Sequence, residues 1–390
     1  MVRHGQRNAA GGRAPVRRVW AEADAREHGQ AHRGRRRGRW CRNGRGDDRR
    51  RSAGARGVVT AAGERPPHPL RQALWPLGLL YGAVAAARNL AFATGVRRVH
   101  RLGVPVVSIG NLAVGGTGKT PTVAFLCRLA KERGRTPGVL ARGYGRAPGA
   151  RLNDEGELLQ RRMPWLLQEQ DPDRVAAGRR LLERGADFVV LDDGFQHRRL
   201  HRDLDVVCLD ARLPFGNGQC LPAGDLREFR SGLRRADVLL LTRAGSLAPE
   251  HRADRVHGLR RIAGRDLPVH FCEHRPSELV RRPDGANEPA TALRGRRVVL
   301  LSAIARPGGF RATAAALGAE IVGEFAHRDH HTFTERELEA AVEHARRSDA
   351  ELLTTEKDDA RLGDAAFARL VLRIELQFLD AEPPAEEWLL

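Results

Sequence analysis

A glycine-rich segment followed by lysine and threonine is the part of the sequence best suited to bind linked phosphate groups. Residues 104–120 read VPVVSIGNLAVGGTGKT: an apolar strand, a glycine-rich loop and the start of a helix. Glycines let backbone N–H groups turn toward phosphate oxygens, and a helix N-terminus adds positive potential. Lys119 is expected to contact the β- and γ-phosphates of a nucleotide, and the Thr120 hydroxyl to ligate Mg²⁺. The predicted nucleotide-binding residues are Ala113, Val114, Gly115, Gly116, Thr117, Gly118, Lys119 and Thr120.

This loop departs from the consensus G-x-x-x-x-G-K-[ST] at one position, where Ala113 replaces the first glycine. A small residue there is a mild change. Residues 354–358 lack the Asn-Lys-x-Asp spacing of a guanine-binding motif, so ATP is the expected nucleotide.

Two adjacent aspartates end an apolar run at Phe188–Leu191. An acid at the carboxyl end of a strand lies where open α/β sheets bind ligands. We expect Asp192 to bind Mg²⁺ or its waters together with Thr120, and Asp193 to accept a proton from an attacking hydroxyl. The alternative is a turn-forming Asp-Asp-Gly sequence.

A second group of titratable residues is Asp329-His330-His331, just before a helix whose start is marked by Thr334 and Glu337. Metal binding there would need further ligands. These imidazoles either are solvated or reach across a cleft to tune Asp193, and the sequence leaves both open.

The elements that must position these groups alternate between short β-branched strands and helices, which predicts a mostly parallel, doubly wound α/β sheet. The predicted strands are 104–109, 138–141, 188–191, 206–209 and 238–242, followed by a second set at 297–301, 320–323, 351–354 and 370–374. The second set predicts a smaller α/β domain.

Charge is concentrated at the start of the chain. The formal net charge is +19, of which residues 1–60 contribute +12. Residues 1–66 are rich in Arg and Gly, and we expect them to be a disordered extension or upstream sequence outside the true reading frame, although RNA or anionic lipid could bind such a tail. Five scattered cysteines, among them Cys41, suit free thiols, and no signal peptide or spanning segment is expected.

An uncharged stretch, ALWPLGLLYGAVAAA, occupies residues 73–87 and is followed by Arg88 and further arginines. Its length is too short to span a bilayer, and the pattern fits either a helix lying in the membrane interface or a buried core helix. The residues alone do not choose between them.

Taken together, these segments resemble the tetraacyldisaccharide 4'-kinase (lipid A 4'-kinase) family over roughly residues 67–378. The resemblance rests on the phosphate loop, LARGYGR at 140–146, NDEGELL at 153–159, VLDDGFQHRRLHRDLDVVCLD at 190–210, RLPFGNGQCLPAGDLRE at 212–228, RDHHTF at 328–333 and LLTTEKDDARL at 352–362. Members of the family also carry a small residue at the position of Ala113.

The resemblance implies an ATP- and Mg²⁺-dependent kinase at the cytoplasmic face of the inner membrane. Its substrate would be the glycolipid tetraacyldisaccharide 1-phosphate, phosphorylated at the 4'-hydroxyl to give lipid IVA in lipid A (lipopolysaccharide) biosynthesis. It further implies an N-terminal helix docked at the membrane, and a catalytic pairing of Asp193 (or Asp192) with His330, beside Asp329. Arg142 and Arg227 fall in matched motifs and are expected to contact phosphate or sugar.

The resulting domain prediction has four parts: 1–66 as the extension, 67–98 as the interfacial helix, 99–270 as the P-loop kinase core and 271–390 as the C-terminal α/β domain with its linker. The alternative function is a nucleic-acid-associated or regulatory P-loop NTPase. We expect no nucleic-acid partner, because the charge excess lies largely in the extension.

Overall fold

The computed structural model describes residues 73–147 and 149–389, built on one continuous, mostly parallel sheet. Its strands are β1 (Val106–Gly110), β2 (Pro137–Ala141), β3 (Leu167–Gln170), β4 (Phe188–Asp192), β5 (Leu204–Asp210), β6 (Val238–Thr242), β7 (Val269–Arg282), β8 (Asn287–Pro289), β9 (Arg297–Ser302), β10 (Glu320–Ala326), β11 (Glu351–Thr355) and β12 (Arg369–Phe378). The predicted extension 1–66 and Cys41 lie outside the described residues.

The α-helices connect these strands. They are α1 (Trp75–Ala93), α2 (Lys119–Glu132), α3 (Asp154–Arg162), α4 (Arg174–Glu183), α5 (Glu250–Ala263), α6 (Pro307–Ala316), α7 (Glu335–Arg347), α8 (Glu356–Leu362) and α9 (Ala385–Leu389). Helix α7 begins with the predicted capping box, in which Thr334 Oγ1 accepts from Glu337 N and the Glu337 carboxylate accepts from Thr334 N.

The strand order is β10-β9-β11-β12-β7-β6-β5-β1-β4-β2-β3, with β8 paired to β7. Strands β1, β4 and β6 are buried along their whole length, as expected for central parallel strands covered on both faces. Because β1 lies between β4 and β5, the loops that follow β1 and β4 meet at the same edge of the sheet. This topology brings the glycine-rich loop next to the paired aspartates.

The two halves of the sheet are joined through β7. This strand pairs in parallel with β6 over Val269–Phe271 and antiparallel with β12 over Cys272–Arg282. The predicted mostly parallel α/β fold is confirmed, and all nine predicted strands are present. Strands β3, β7 and β8 were not predicted, because LQEQ in β3 is polar and β7 carries charges and Pro276. The predicted domain boundary at 270/271 falls within β7.

Helix α1 packs against the body through a narrow stripe of small residues. A Cβ on Gly78 would lie 2.8 Å from Cys220 O, and one on Gly82 would lie 2.5 Å from the Phe229 ring. Much of the remaining surface of the helix is apolar and exposed, and the large exposed residues are Trp75, Leu77, Leu79, Leu80, Tyr81, Val84 and Leu90. The helix therefore is neither a buried core helix nor a typical surface helix.

None of the described helices combines the length and the apolar character needed to cross a bilayer. The four described cysteines, Cys127, Cys208, Cys220 and Cys272, are buried free thiols, as predicted.

Candidate functional site

The glycine-rich loop is fixed by hydrogen bonds from both sides. Asn111 Nδ2 donates to Thr117 Oγ1 at 3.0 Å, and Thr242 Oγ1 at the end of β6 donates to Thr117 O at 3.0 Å. Val114 N donates to Asp225 O at 2.8 Å, which ties the loop to the segment containing Arg227. The loop conformation is thus determined by the protein itself.

The glycines of this loop differ in the space around them. A Cβ on Gly115 would meet no atom within 4 Å, and one on Gly116 would meet only the Arg243 guanidinium at 3.7 Å. Gly118 has φ +83° and lies against the His274 ring, where a Cβ would be 2.4 Å from Cε1. The first two glycines therefore border an open cradle, and only glycine fits at 118. Such a cradle at the start of α2 fits a phosphate chain.

The two aspartates at the end of β4, Asp192 in the strand and Asp193 directly after it, have different electrostatic environments. Burial, with a contribution from the Glu155 charge, raises the pKa of Asp192 to about 7. Asp193 has φ +52° and accepts hydrogen bonds from Arg227 Nη1 at 2.6 and 2.7 Å, while Lys119 Nζ lies 3.5 Å away. Burial alone would raise the pKa of Asp193, but these two cations outweigh it and hold the pKa below its ordinary value.

Two further nitrogen-bearing side chains that sequence reasoning did not select border the same region. Arg174, the first residue of α4, is buried, and its Nη2 donates to Asp192 O at 3.3 Å. Within the described residues its Nε and His197 Nε2 are buried without a hydrogen-bond partner. Burial lowers the pKa of His197 to about 4, helped by the Arg174 charge. Donors of this kind suit an anionic ligand.

His330 lies in the loop after β10, on the C-terminal half of the sheet. Its Nδ1 is 3.2 Å from Asp154 Oδ2, and its Nε2 is 3.2 Å from Lys357 Nζ. Lys357 Nζ also donates to Asp329 Oδ1 at 3.1 Å. Arg361 Nε donates to Asp154 Oδ2 at 2.6 Å. Burial would raise the pKa of Asp154, but Arg361 and then His330 lower it below its ordinary value.

The residues of the glycine-rich loop and the residues around His330 line one cavity of about 1930 Å³. Its wall includes the predicted residues Val114–Thr120, Asp193, Arg142, Arg227, Asp329 and His330, and the residues that were not predicted, Asp154, Arg174 and His197. No hydrogen bond between Asp193 and His330 is found among the described residues. The carboxylate beside His330 is instead Asp154, at the start of α3.

The signal for Asp154 was present in the sequence but gave no partner. NDEGELL at 153–159 combines a cap residue with acids in a first helical turn, and Asn153 Oδ1 does accept from Gly156 N at 3.0 Å. That pattern predicts the start of a helix. It does not predict that Asp154 contacts His330, which lies 176 residues further along the chain.

Oxygen donors suited to Mg²⁺ are also present. The Thr120 hydroxyl lies in the first turn of α2, which lines the cavity, whereas the Asp192 carboxylate at the end of β4 is buried and is not among the residues that line the cavity. A phosphate loop, a carboxylate at a strand end and a wide cleft define a P-loop nucleotide-binding protein, the class that includes the P-loop kinases.

Comparison with known proteins identifies the family of P-loop proteins to which this chain belongs. The sequence model of the family described as tetraacyldisaccharide-1-P 4'-kinase (LpxK) matches residues 70–390. The tetraacyldisaccharide 4'-kinase of Anaeromyxobacter sp. (strain K) is 44% identical, covering 80% of this chain and 91% of its own length. The protein of the same name from Geobacter sulfurreducens is 39% identical, covering 78% and 88%.

A solved structure agrees. The crystal structure of LpxK from Aquifex aeolicus in complex with ATP has a TM-score of 0.65 and 28% identity, covering 79% of this chain and 95% of that one. The chain belongs to the tetraacyldisaccharide 4'-kinase family, and it is a kinase, as its motifs predicted.

Proposed function

We propose that this kinase transfers the γ-phosphate of ATP to the 4'-hydroxyl of tetraacyldisaccharide 1-phosphate, forming lipid IVA in lipid A biosynthesis. The observation that carries the proposal is the arrangement of the 1930 Å³ cavity. A phosphate cradle with Lys119 lies on one wall, and a histidine–carboxylate pair lies on the other. The family membership supplies the identity of the acceptor.

ATP is proposed to bind with its phosphates in the cradle of residues 113–120. Lys119 is held at 3.5 Å from Asp193, so its ammonium is positioned before the nucleotide arrives. Arg227 bonds to the same carboxylate, and a phosphate entering the cradle would meet both cations. In this proposal Asp193 orients Lys119 and Arg227 at the transferred phosphate.

Mg²⁺ is proposed to bind through Thr120 and Asp192, where it would neutralise charge on the β- and γ-phosphates. Asp192 must be ionised to act as a ligand. Because its pKa is raised to about 7, Mg²⁺ affinity should increase as the pH rises through neutrality.

His330 and Asp154 are proposed to remove the proton of the attacking hydroxyl. In this proposal His330 Nδ1 donates to Asp154, and Nε2 accepts the proton once the Lys357 ammonium, which lies 3.2 Å from Nε2, turns to the incoming phosphates. Asp154 then stabilises the imidazolium that forms. Arg361 keeps Asp154 ionised for this role. Asp193 is less suited to be the base, because Lys119 and Arg227 hold its pKa below the ordinary value of a carboxyl group.

The glycolipid is proposed to approach from the membrane side, along α1. Tyr81 and Val84 line the cavity from that helix, and the adjoining face is exposed and apolar. Arg174, His197 and Arg142 border the same cavity and would meet the anionic groups of the acceptor. We infer a peripheral enzyme at the cytoplasmic face of the inner membrane, with α1 lying in the interface.

The decisive experiment is transfer of labelled phosphate from [γ-³²P]ATP to tetraacyldisaccharide 1-phosphate, with and without Mg²⁺. We expect a labelled lipid only with Mg²⁺ present, and loss of the product in Lys119→Ala. Hydrolysis of ATP without any labelled lipid, or stimulation by RNA, would instead support a regulatory or nucleic-acid-associated NTPase.

A further inference from the structure

A cluster of metal-ligating side chains lies beside the loop that carries His330 and takes no part in the proposed reaction. It consists of His327, His331 and Glu337, one ligand atom of each lying within 4.8 Å of the others. His331 Nε2 is 2.9 Å from Glu337 Oε2, and His327 Nδ1 is 3.5 Å from Glu337 Oε1. Two imidazoles and one carboxylate are a ligand set that binds zinc and similar ions in proteins.

The surrounding structure holds all three ligands in place. His327 follows β10 directly, and its backbone N–H donates to Ser302 O at 2.8 Å. The Phe333 ring packs edge-on against both imidazoles, with centroid distances of 5.4 and 5.9 Å. The two imidazoles stack at 4.7 Å with an interplanar angle of 4°. An apolar ring against the ligands limits their motion and lowers the local polarity around an ion.

Glu337 is fixed by the capping box of α7, because its Oε2 accepts from Thr334 N at 2.8 Å. This bond and the contact of Oε2 with His331 Nε2 at 2.9 Å hold the carboxylate in place between the imidazoles. Its Oε1 faces His327 as well as His331, at 3.5 and 3.1 Å. The cluster therefore has a preset anionic ligand between two imidazoles.

We propose that His327, His331 and Glu337 form a binding site for a divalent transition metal, with Zn²⁺ the best fit and water completing the coordination. Ligand atoms around tetrahedral zinc are about 3.3 Å apart, as follows from bond lengths of ~2.0–2.1 Å. Each imidazole lone pair lies in its own ring plane, so the two parallel rings must rotate toward a shared ion, and the ligand atoms, all within 4.8 Å of one another, must move closer together. The proposal does not depend on the function proposed above.

The bound ion would close the short loop of residues 328–330. That loop contains Asp329 and His330, and His330 has φ +63°. Both imidazole ligands flank the loop, so a metal would join its two ends and fix its conformation. The site would thus connect metal binding to the position of His330 without using any residue that contacts the nucleotide.

The test uses the full-length protein stripped of metal by chelation, titrated with ZnCl₂ in saturating Mg²⁺ and without nucleotide. Calorimetry should give one equivalent of Zn²⁺ fewer in His331→Gln and in Glu337→Gln than in the wild-type protein. The second variant keeps a side-chain oxygen for the capping box, so a folding defect in the first does not leave the question open. His257→Gln, an exposed histidine on α5, is the matched control and should retain every equivalent.

Thermal unfolding supplies a second measurement. Zn²⁺ should raise the Tm of the wild-type protein and of His257→Gln, and the increase should be absent in His331→Gln and Glu337→Gln, since an ion that binds only the folded state stabilises it. Equal Zn²⁺ stoichiometry and equal Tm increases in all four proteins would overturn the proposal. The contact between His331 and Glu337 would then be only a structural hydrogen bond of the loop.

Discussion

The two walls of the cavity are built in different ways. The phosphate wall is formed by consecutive residues between β1 and α2, and its backbone is fixed by buried contacts such as that of Thr242 with Thr117. The opposite wall joins Asp154 of α3 to His330 and Arg361, 176 and 207 residues away. His330 has a side chain that is 62% exposed. The residues of the phosphate wall are therefore contiguous in the sequence and held by buried hydrogen bonds, whereas the opposite wall is assembled from distant segments by partly exposed ion pairs.

The strongest test of this comparison is removal of the pair on the second wall. His330→Gln and Asp154→Asn should each lower kcat by roughly 10²–10⁴-fold, the usual contribution of general base catalysis, with the KM for ATP nearly unchanged. The double variant should be little worse than either single variant, because residues that act as a unit are not additive. Steady-state kinetics with the glycolipid acceptor measures all three.

The matched comparison for that prediction is Asp193→Asn on the first wall. If Asp193 orients Lys119 and Arg227, the variant should raise the KM for ATP as well as lower kcat. Should Asp193→Asn lower kcat alone while Asp154→Asn has no effect, the base would be Asp193, as the sequence had suggested.

Removal of the ammonium from the phosphate wall should have the next largest effect. Lys119→Ala is expected to lower kcat/KM on the order of 10²–10³-fold, as for loss of one preorganised group that stabilises transition-state charge. Lys131→Ala at the other end of α2, where the ammonium lies over the Trp165 ring, is the control and should keep normal activity. Equal losses in both variants would mean that the substitutions disturb α2 itself.

The contrast between the walls also explains what the sequence could predict. The loop, its helix and Asp192 at the end of β4 follow from local rules, since glycines, an apolar run and a lysine specify a phosphate loop at short range. The pairing of His330 with Asp154 requires α3 to contact the loop between β10 and α7. No local sequence pattern predicts a contact between segments so far apart in the chain. Likewise β7 escaped prediction because its residues, which include charged side chains and Pro276, show no regular alternation of apolar and polar positions.

A substitution on the exposed face of α1 should have a smaller effect, on the binding of the protein to the membrane that holds its substrate. Leu80→Glu should weaken binding to anionic phospholipid vesicles by about tenfold or more, because burying a leucine is worth ~1.5–3 kcal/mol and a buried charge is costly. Leu80 is 61% exposed, so the fold should tolerate the change. Vesicle co-sedimentation measures the binding.

Ala316→Glu adds the same charge at an exposed position of α6 and is the control for the α1 experiment. If both variants sediment with vesicles as well as the wild-type protein does, α1 does not lie in the membrane interface.

The smallest expected effect is on stability, and it comes from Asp192, which lies between the sheet and the phosphate wall. Its pKa in the folded protein is raised from 3.8 to about 7 by burial. The protonated carboxyl therefore contributes stability that is fully present below about pH 4 and is lost as the pH rises toward 7.

Asp192→Asn stays neutral, so without nucleotide or Mg²⁺ its Tm should exceed that of the wild-type protein by a few degrees at pH 8, and the difference should vanish near pH 4. Thermal scans across this range measure it, with Asp364→Asn, at a 98% exposed side chain, as the control. A difference in Tm that does not change with pH would mean that the pKa of Asp192 is the same in the folded and the unfolded protein, the cost of burial being balanced by Lys119 and Arg174.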